Sequence, residues 1–591
     1  MLSPDELSPA ELGLPKKFDT WREGQFEAID AISLSDKRVY LLDAPWGIGK
    51  SVIGIGAFQR ICLRNRSMAV LDRMTGKEVR EQNLRCLFVT RTKQLQQQVV
   101  SEFPRAKTIK GRRNFPCLRF PDKFPDITAE DCTHQEKTII YSEDQQQGCE
   151  HHYSCPYLVA KGIAYGAPLA VLNTSYFLAE ANGPGLFSGA DFVILDEIDS
   201  LESELMSHIE LRVSESSLKR FKLELPKETG TMSGWLAWAE TVGIQDRLKG
   251  IENSLEAVAQ DDWSDVEIRL HKNCVRLKSF QNKIKSFVRE VSDDWVFYEE
   301  ENAKDRTWVF KPTLVSPYAE KYIWRHSPRF LGMSATILES KVVAGNLGLD
   351  ALSPRILDRE DAMRQAAVDL GYLDPLEPVP SWEYAKLDCP FPKENRPIYF
   401  SPVANLTRAK MERELPKLLN EVLDIVMKHP QEKILIHATS YAIRDYLMEP
   451  FLQQPFYYEI YQAFKDRVIT HTQANRAEML ELFKTSIEPL VMISPSFDRG
   501  VDLPDDTCRC IIICKVPYIS LGDPQVRKRM ELPGGELWYL LRAAQTLMQM
   551  TGRGVRHEND FCATYILDKQ FRLLLTRVGW LFPGWWKEAI K

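Results

Sequence analysis

Short apolar runs rich in β-formers recur along the first part of the chain, at Val39 to Leu42, Arg85 to Thr90, Leu169 to Leu172 and Phe192 to Leu195, with helix-like segments between them. Strands covered on both faces read as continuous apolar runs, and strands separated by helices pair in parallel. The pattern predicts a parallel α/β sheet. Two stretches interrupt it. From about Lys107 to Ala160 the chain is polar, bears cysteines and lacks a helical period, which predicts an insertion. From about Leu201 to Tyr318 it is charged, with apolar residues three and four apart, as in Leu248 to Leu255 and Leu277 to Ile284, and this predicts a helical accessory domain. The proline-rich stretch Pro375 to Pro402 reads as a linker. Strands recur beyond it at Lys433 to Ile436, Leu490 to Ile493 and Cys510 to Ile513, so a second α/β domain follows.

The 591 residues, 44% hydrophobic and 27% charged, describe a globular chain, long enough for roughly three or four domains. No uninterrupted apolar run approaches about 18 residues and none follows a basic start, which argues against a membrane span and a secretory leader. The protein is expected inside the cell, cytoplasmic or nucleoid-associated if its host is prokaryotic or a phage. Twelve cysteines in a reducing compartment are read as ligands before disulfides. The net charge of −6 gives no global sign of nucleic-acid binding, but such affinity comes from a local basic groove rather than from the total.

The first apolar run feeds Asp43-Ala44-Pro45-Trp46-Gly47-Ile48-Gly49-Lys50-Ser51, a glycine-rich turn that opens a helix-like stretch. This is the pattern of a phosphate-binding loop. Gly47, Ile48 and Gly49 let backbone N–H groups turn towards phosphate oxygens, Lys50 reaches the β- and γ-phosphates, and the Ser51 hydroxyl reaches Mg²⁺. Ala44 replaces the first glycine of the usual pattern. A second nucleotide signal, Phe192 to Asp199, is an apolar strand ending in adjacent carboxylates. Asp196 would hold the Mg²⁺ shared with Ser51, and Glu197 would polarise the attacking water. Acidic residues after a strand also serve simply to start a helix.

With these motifs the chain resembles the superfamily 2 helicases, whose acidic box matches Asp196-Glu197-Ile198-Asp199. Arg22 and Gln25 resemble the Q motif that reads adenine, Thr90-Arg91-Thr92 resembles motif Ia on the nucleic-acid backbone, and Gly332 to Thr336 resembles the Ser-Ala-Thr motif III. Ser496 to Leu503, with Asp502, resembles motif V, and Gln549 to Arg556 resembles motif VI. The resemblance makes Gln549, Arg553 and Arg556 catalytic, the arginines reaching the transferring phosphoryl group when two domains close. Such an arginine finger is worth about 10³ to 10⁵ in rate.

Cys117, Cys132, Cys149 and Cys155 cluster within the first insertion. Four thiolates hold an iron–sulfur cluster or a zinc ion equally well, and their number alone does not choose. Their flanks, Lys110 to Cys117 and Cys155-Pro156-Tyr157, resemble those of the XPD/DinG family, which carries a [4Fe–4S] cluster there. Asn173-Thr174-Ser175-Tyr176 and Leu387 to Pro392 resemble the same family. Ile198-Asp199 departs from its usual Ala-His, and Asp43 stands where glutamate is common. The basic run Arg105 to Arg113 precedes Phe115, so Arg112 and Arg113 offer charge for phosphates beside a ring for base stacking. Tyr441 is a comparable motif IV contact.

The resemblance implies two RecA-like parallel-sheet motor domains, the first carrying an iron–sulfur insertion and a helical arch. The expected boundaries are motor domain 1 at 1–106, 163–203 and 319–385 with its linker, the cluster domain at 107–162, the arch at 204–318 and motor domain 2 at 386–591. The implied activity is that of an ATP-dependent DNA helicase that translocates on single-stranded DNA, 5′ to 3′, and unwinds duplex DNA. Its cofactors would be ATP, Mg²⁺ and a [4Fe–4S] cluster. Its partners would be single-stranded and forked DNA, with the arch as a surface for proteins, no membrane and a monomeric motor. A second reading is an ATP-gated, redox-responsive DNA-binding module without strand separation.

Overall fold

Alternate residues of the first strand enter different cores: Val39 and Leu41 go to one side of the sheet and Tyr40 and Leu42 to the other, none more than 5% exposed. A strand buried on both faces is what the continuous apolar run requires. The computed structural model describes residues 7–74, 83–119, 124, 126–132, 151–259, 262–302, 305–352, 380–449, 455–497, 501 and 503–591. The predicted site residues Cys149 and Asp502 and the start of the proline-rich stretch lie outside these. Among the described residues the strands are β1 (Val39–Asp43), β2 (Cys86–Thr90), β3 (Lys107–Thr108), β4 (Leu169–Asn173), β5 (Phe192–Asp196), β6 (Leu211–Ser214), β7 (Trp295–Asn302) and β8 (Asp305–Pro312). They continue with β9 (Phe330–Ser334), β10 (Trp382–Lys386), β11 (Ile398–Ala404), β12 (Ile434–His437), β13 (Val468–Thr470), β14 (Val491–Ser494), β15 (Cys510–Ile513) and β16 (Ala563–Asp568).

Two parallel sheets result, as two RecA-like domains require. The first has the order β10-β1-β9-β5-β2-β4-β3 and the second β11-β16-β15-β12-β14-β13. In the second, Leu435 faces one core while Ile434 and Ile436 face the other.

The stretch 201–318 is not helical throughout. Four helices, Glu215–Phe221, Met232–Thr241, Ile244–Glu256 and Asp265–Glu290, pack on an antiparallel sheet of order β6-β8-β7. Their apolar spacing is as expected, with Ile244, Leu248, Ile251 and Leu255 buried along one face. The sheet forms because Trp308 and Phe310 of β8 point inward, their rings 5.0 and 5.4 Å from that of Trp235. The cysteine-bearing stretch also ends in a helix, Pro156–Gly166, with Cys155 at its N-cap and proline at its first position, where a missing N–H costs nothing.

The second domain meets the first through the helix Pro524–Met530. Arg529, 3% exposed, pairs with Glu202 and stacks over Trp538, its guanidinium carbon 3.9 Å from the ring centroid. Lys311 on β8 pairs with Asp523 at 2.7 Å, and Gln525 donates to the Thr313 carbonyl at 2.7 Å.

Candidate functional site

β1, β9 and β5 are neighbours, and their register sets Asp43 beside Ser334 and Asp196 beside Met333. The three loops leaving their carboxyl ends therefore emerge side by side, where open parallel sheets bind ligands. The first loop leads into the helix Lys50–Met74, so Lys50 and Ser51 open that helix. Gly47 and Gly49 have φ of +72° and +87°, values that glycine adopts without steric cost. A Cβ on Gly49 would also stand 2.7 Å from Gln25 Nε2. That nitrogen donates to the Ile48 carbonyl at 2.6 Å, and the Arg22 guanidinium donates to the Gly47 carbonyl. Arg22 and Gln25 thus brace the loop directly.

Asp196 ends β5, and its Oδ1 is buried with no hydrogen-bond partner among the described residues. Burial, reinforced by the Glu197 charge, pushes its carboxyl up to about 7 against the pull of Lys50. An acceptor left open in this way suits a hard cation shared with the Ser51 hydroxyl. Glu197 has φ +57° and ψ +49°, and its side chain caps no helix N–H. Left-handed backbone costs a residue with a Cβ about 1–2 kcal/mol, and such strain concentrates at functional sites. Asp199, 3% exposed, accepts hydrogen bonds from Ser334 Oγ at 2.7 Å and Thr336 Oγ1 at 3.2 Å. The acidic box and the Ser-Ala-Thr loop are therefore one bonded unit.

From the second domain, the helix Gly535–Thr551 places Gln545 and Gln549 one turn apart on the same face. Gln545 Nε2 donates to the Thr336 carbonyl at 2.8 Å. Gln549 Nε2 donates to Thr336 Oγ1 at 2.7 Å and to Glu197 Oε2 at 3.0 Å. Arg553, 6% exposed, donates to Gln549 Oε1 at 3.1 Å and to the Val501 carbonyl at 2.8 Å. The Arg556 N–H donates to Asp560 Oδ2 at 2.9 Å, and a Cβ on Gly47 would lie 2.5 Å from the Arg556 carbonyl. Arg553 thus reaches the acidic box through Gln549, and the backbone of Arg556 lies against the phosphate loop.

Residues 422–589, which hold this helix and both arginines, match the helicase C-terminal domain family. The ATP-dependent DNA helicase YoaA of Escherichia coli (strain K12) is 32% identical over 121 residues, 20% of this chain and 19% of YoaA. The regulator of telomere elongation helicase 1 homolog of Drosophila melanogaster is 34% identical over 85 residues, 12% of this chain and 9% of that protein. The matched stretches thus span a fifth or less of these curated relatives. Sequence kinship is thus shown for the second domain, which carries a helicase C-terminal domain. A solved structure titled XPD_Helicase shares the fold of the chain, with a TM-score of 0.54 at 15% identity over 95% of this chain and 98% of the other.

Cys117, Cys132 and Cys155 are half-buried, the first two in the stretch 115–132 and the third at the N-cap of the helix Pro156–Gly166. Pro116 bridges Thr128, the Ala129 N–H donates to the Phe115 carbonyl at 2.9 Å, and the Phe115 and Tyr157 rings meet at 5.5 Å. Among the described residues the three sulfurs do not all lie within 4.8 Å of one another, and Cys149 lies outside those residues; thiolates as a donor type suit an iron–sulfur cluster or zinc. The helix after Cys155 is pinned by Lys161, whose ammonium pairs with Glu180 at 2.8 Å, the two side chains 1% and 5% exposed.

The residues expected to contact DNA divide. Thr90 is fully buried, with Oγ1 donating to the Thr92 carbonyl at 3.0 Å, so it shapes the motif Ia loop and does not line its surface. Arg91 pairs with Glu204 at 3.4 Å and Arg113 with Glu130. Arg112 lies over the Tyr157 ring at 5.4 Å, and Phe115 is half-buried against the same ring. Tyr441, 51% exposed, has Arg444 over its ring at 4.7 Å.

Sequence reasoning missed Gln545, Asp560 and the destination of Trp46. The i, i+4 spacing of Gln545 and Gln549 was a usable signal. Asp560, fully buried, takes N–H groups from Asp505 and Arg556 and the Arg509 guanidinium, contacts no linear pattern reveals.

Proposed function

We propose that the protein is an ATP-dependent DNA helicase that moves on single-stranded DNA, 5′ to 3′, and separates duplex strands, hydrolysis being coupled to closure of the two domains. The observation that carries this reading is Gln549, which joins Glu197 of one domain to Arg553 of the other. A group bridging the residue that activates water and the residue that meets phosphoryl charge makes hydrolysis depend on how the domains meet. Lys50 would hold the β- and γ-phosphates, Glu197 would orient the attacking water and accept its proton, and Arg553 and Arg556 would meet the charge on the γ-phosphoryl group. Ser51 and Asp196 would hold Mg²⁺, which when bound neutralises phosphate charge. Asp502 would contribute to the nucleotide site from motif V.

Cys117, Cys132, Cys149 and Cys155 would hold a [4Fe–4S] cluster. Arg91, Arg112, Arg113, Phe115 and Tyr441 would touch single-stranded or forked DNA, and the β6-β8-β7 insertion offers a surface for proteins to a monomeric motor. The test is ATP turnover with and without single-stranded DNA, paired with strand displacement from substrates carrying a 5′ or a 3′ tail. DNA-stimulated turnover, loss of it in Lys50→Ala and unwinding from the 5′ tail are expected. Equal turnover with and without DNA would sink the proposal. Iron content and the visible spectrum of anaerobically purified protein decide between the cluster and zinc.

A further inference from the structure

Trp46 sits in the phosphate loop, yet its indole leaves the first domain. It is 8% exposed and packs in an apolar cluster that belongs otherwise almost entirely to the second domain, beside Phe391, Val555 and Trp585. Its ring meets that of Trp585 edge-on, 5.4 Å between centroids. A Cβ on Gly552 would overlap the indole, so close approach, not backbone conformation, calls for glycine there. Behind Gly552, Trp586 Nε1 donates to Thr551 Oγ1 at 2.9 Å. The step Thr551-Gly552 is thus held on one side by the C-terminal helix Gly584–Lys587 and on the other by the phosphate loop. The next residue is Arg553, bonded to Gln549.

We propose that Trp46 is a positioning residue that registers the phosphate loop against motif VI, so that the placement of Arg553 and Arg556 follows the conformation of the loop around phosphate. The inference rests on the nucleotide-site reading above. Directly packed groups transmit displacement; a cavity of about 20 Å³ borders Trp46, Val555, Trp585 and Trp586, but the indole itself lies hard against Gly552. A rigid aromatic wedge seated on a glycine therefore couples the two segments, whereas a small side chain would leave a void and uncouple them. The Trp46 N–H is buried without a hydrogen-bond partner among the described residues, so the ring alone makes the contact and phenylalanine should replace it.

The full chain is compared with Trp46→Ala and Trp46→Phe by hydrogen exchange, by binding of a fluorescent ATP analogue and by DNA-stimulated turnover. In Trp46→Ala, exchange should rise both in residues 44–49 and in residues 551–556. Turnover should fall about 10²-fold, the scale of a misplacement of about 1 Å, while nucleotide affinity changes little. Trp46→Phe should restore most of the turnover and both protection patterns. Faster exchange confined to residues 44–49, or affinity lost in step with turnover, would overturn the coupling. If the unmodified protein neither binds the analogue nor turns over ATP, the nucleotide-site reading fails, and the exchange pattern at 551–556 still decides whether Trp46 couples the segments.

Discussion

Gln549 Nε2 lies 3.0 Å from Glu197 Oε2, although the two residues are 352 positions apart and belong to different domains. The same amide carries Arg553 on its oxygen at 3.1 Å. One side chain therefore fixes the distance between a carboxylate suited to water activation and a guanidinium suited to phosphoryl charge. Leucine at 549 keeps the volume and removes these two bonds together with the one to Thr336 Oγ1. Losing hydrogen bonds to charged groups costs about 1–3 kcal/mol, so Gln549→Leu should lower DNA-stimulated ATP turnover by roughly 10–100-fold with little change in nucleotide affinity. Steady-state kinetics beside equilibrium binding test this. Weakened affinity with unchanged turnover would assign Gln549 to nucleotide binding instead.

Asp199 replaces the histidine usual in the resembling family, and its environment says what it does. Its two carboxylate oxygens take the Ser334 and Thr336 hydroxyls, all three side chains being buried. Asp199→Ala would leave two buried hydroxyls without their acceptor, each worth about 1–3 kcal/mol. The variant should melt several degrees lower and lose most DNA stimulation of ATP turnover, because the acidic box and the Ser-Ala-Thr loop would no longer move together. Asp199→Asn, which keeps one acceptor, should fall between. Unchanged stimulation in Asp199→Ala would make the contact purely structural.

Of the strands that build the site, β1 and β5 were legible because each is apolar up to its terminal carboxylate, whereas β9, FLGMS, shows only as the Gly332 to Thr336 motif. Leu41 to Asp43 and Val193 to Asp196 announce both the strand and the carboxylate at its end. The β7–β8 pair was not legible, since Glu299-Glu300-Glu301 interrupts the apolar signal of one strand. The helix Pro156–Gly166 was hidden by its place directly after the cysteines, in a stretch where ligands rather than periodicity organise the chain. Phosphate loop and acidic box are local patterns and both arginines enter through the resemblance to motif VI, whereas the bonds joining these segments are written in none of them. Asp199 and Ser334 are 135 residues apart, and nothing in either segment names the other.

Lys161 and Glu180 form an ion pair from which water is almost fully excluded. Breaking such a pair by removing one member costs about 3–5 kcal/mol, because the remaining charge stays buried. Glu180→Ala should therefore destabilise the helix that begins after Cys155. Under chemical denaturation it should unfold at lower denaturant concentration, and, given the cluster proposed above, purified protein should carry less iron per chain than the unmodified protein. The double variant Lys161→Met, Glu180→Leu removes both charges and should recover most of both losses. If the double variant is as deficient in iron as Glu180→Ala, the pair matters for the cluster beyond its charge balance.

Asp43, at the end of β1, is 3% exposed, and burial pushes its carboxyl up to about 6. The Leu338 N–H at 3.2 Å, the Lys386 charge and the Tyr384 hydroxyl at 3.3 Å oppose this only in part. In the unfolded chain an aspartate titrates near 3.9, so between about pH 4 and 6 the folded state binds the proton more tightly and folding takes it up. Stability therefore falls as pH rises through that window. The cost of the buried charge is absent below about pH 4 and complete above about pH 6, where it reaches about 3 kcal/mol at 1.36 kcal/mol per unit. Asp43→Asn removes the ionisation while keeping an acceptor for the Leu338 N–H. It should raise the melting temperature over the unmodified protein at pH 7.5, and that gain should shrink steadily towards pH 4. A gain of equal size at both pH values would mean that Asp43 is already protonated at neutral pH or that its charge is matched by groups other than Lys386.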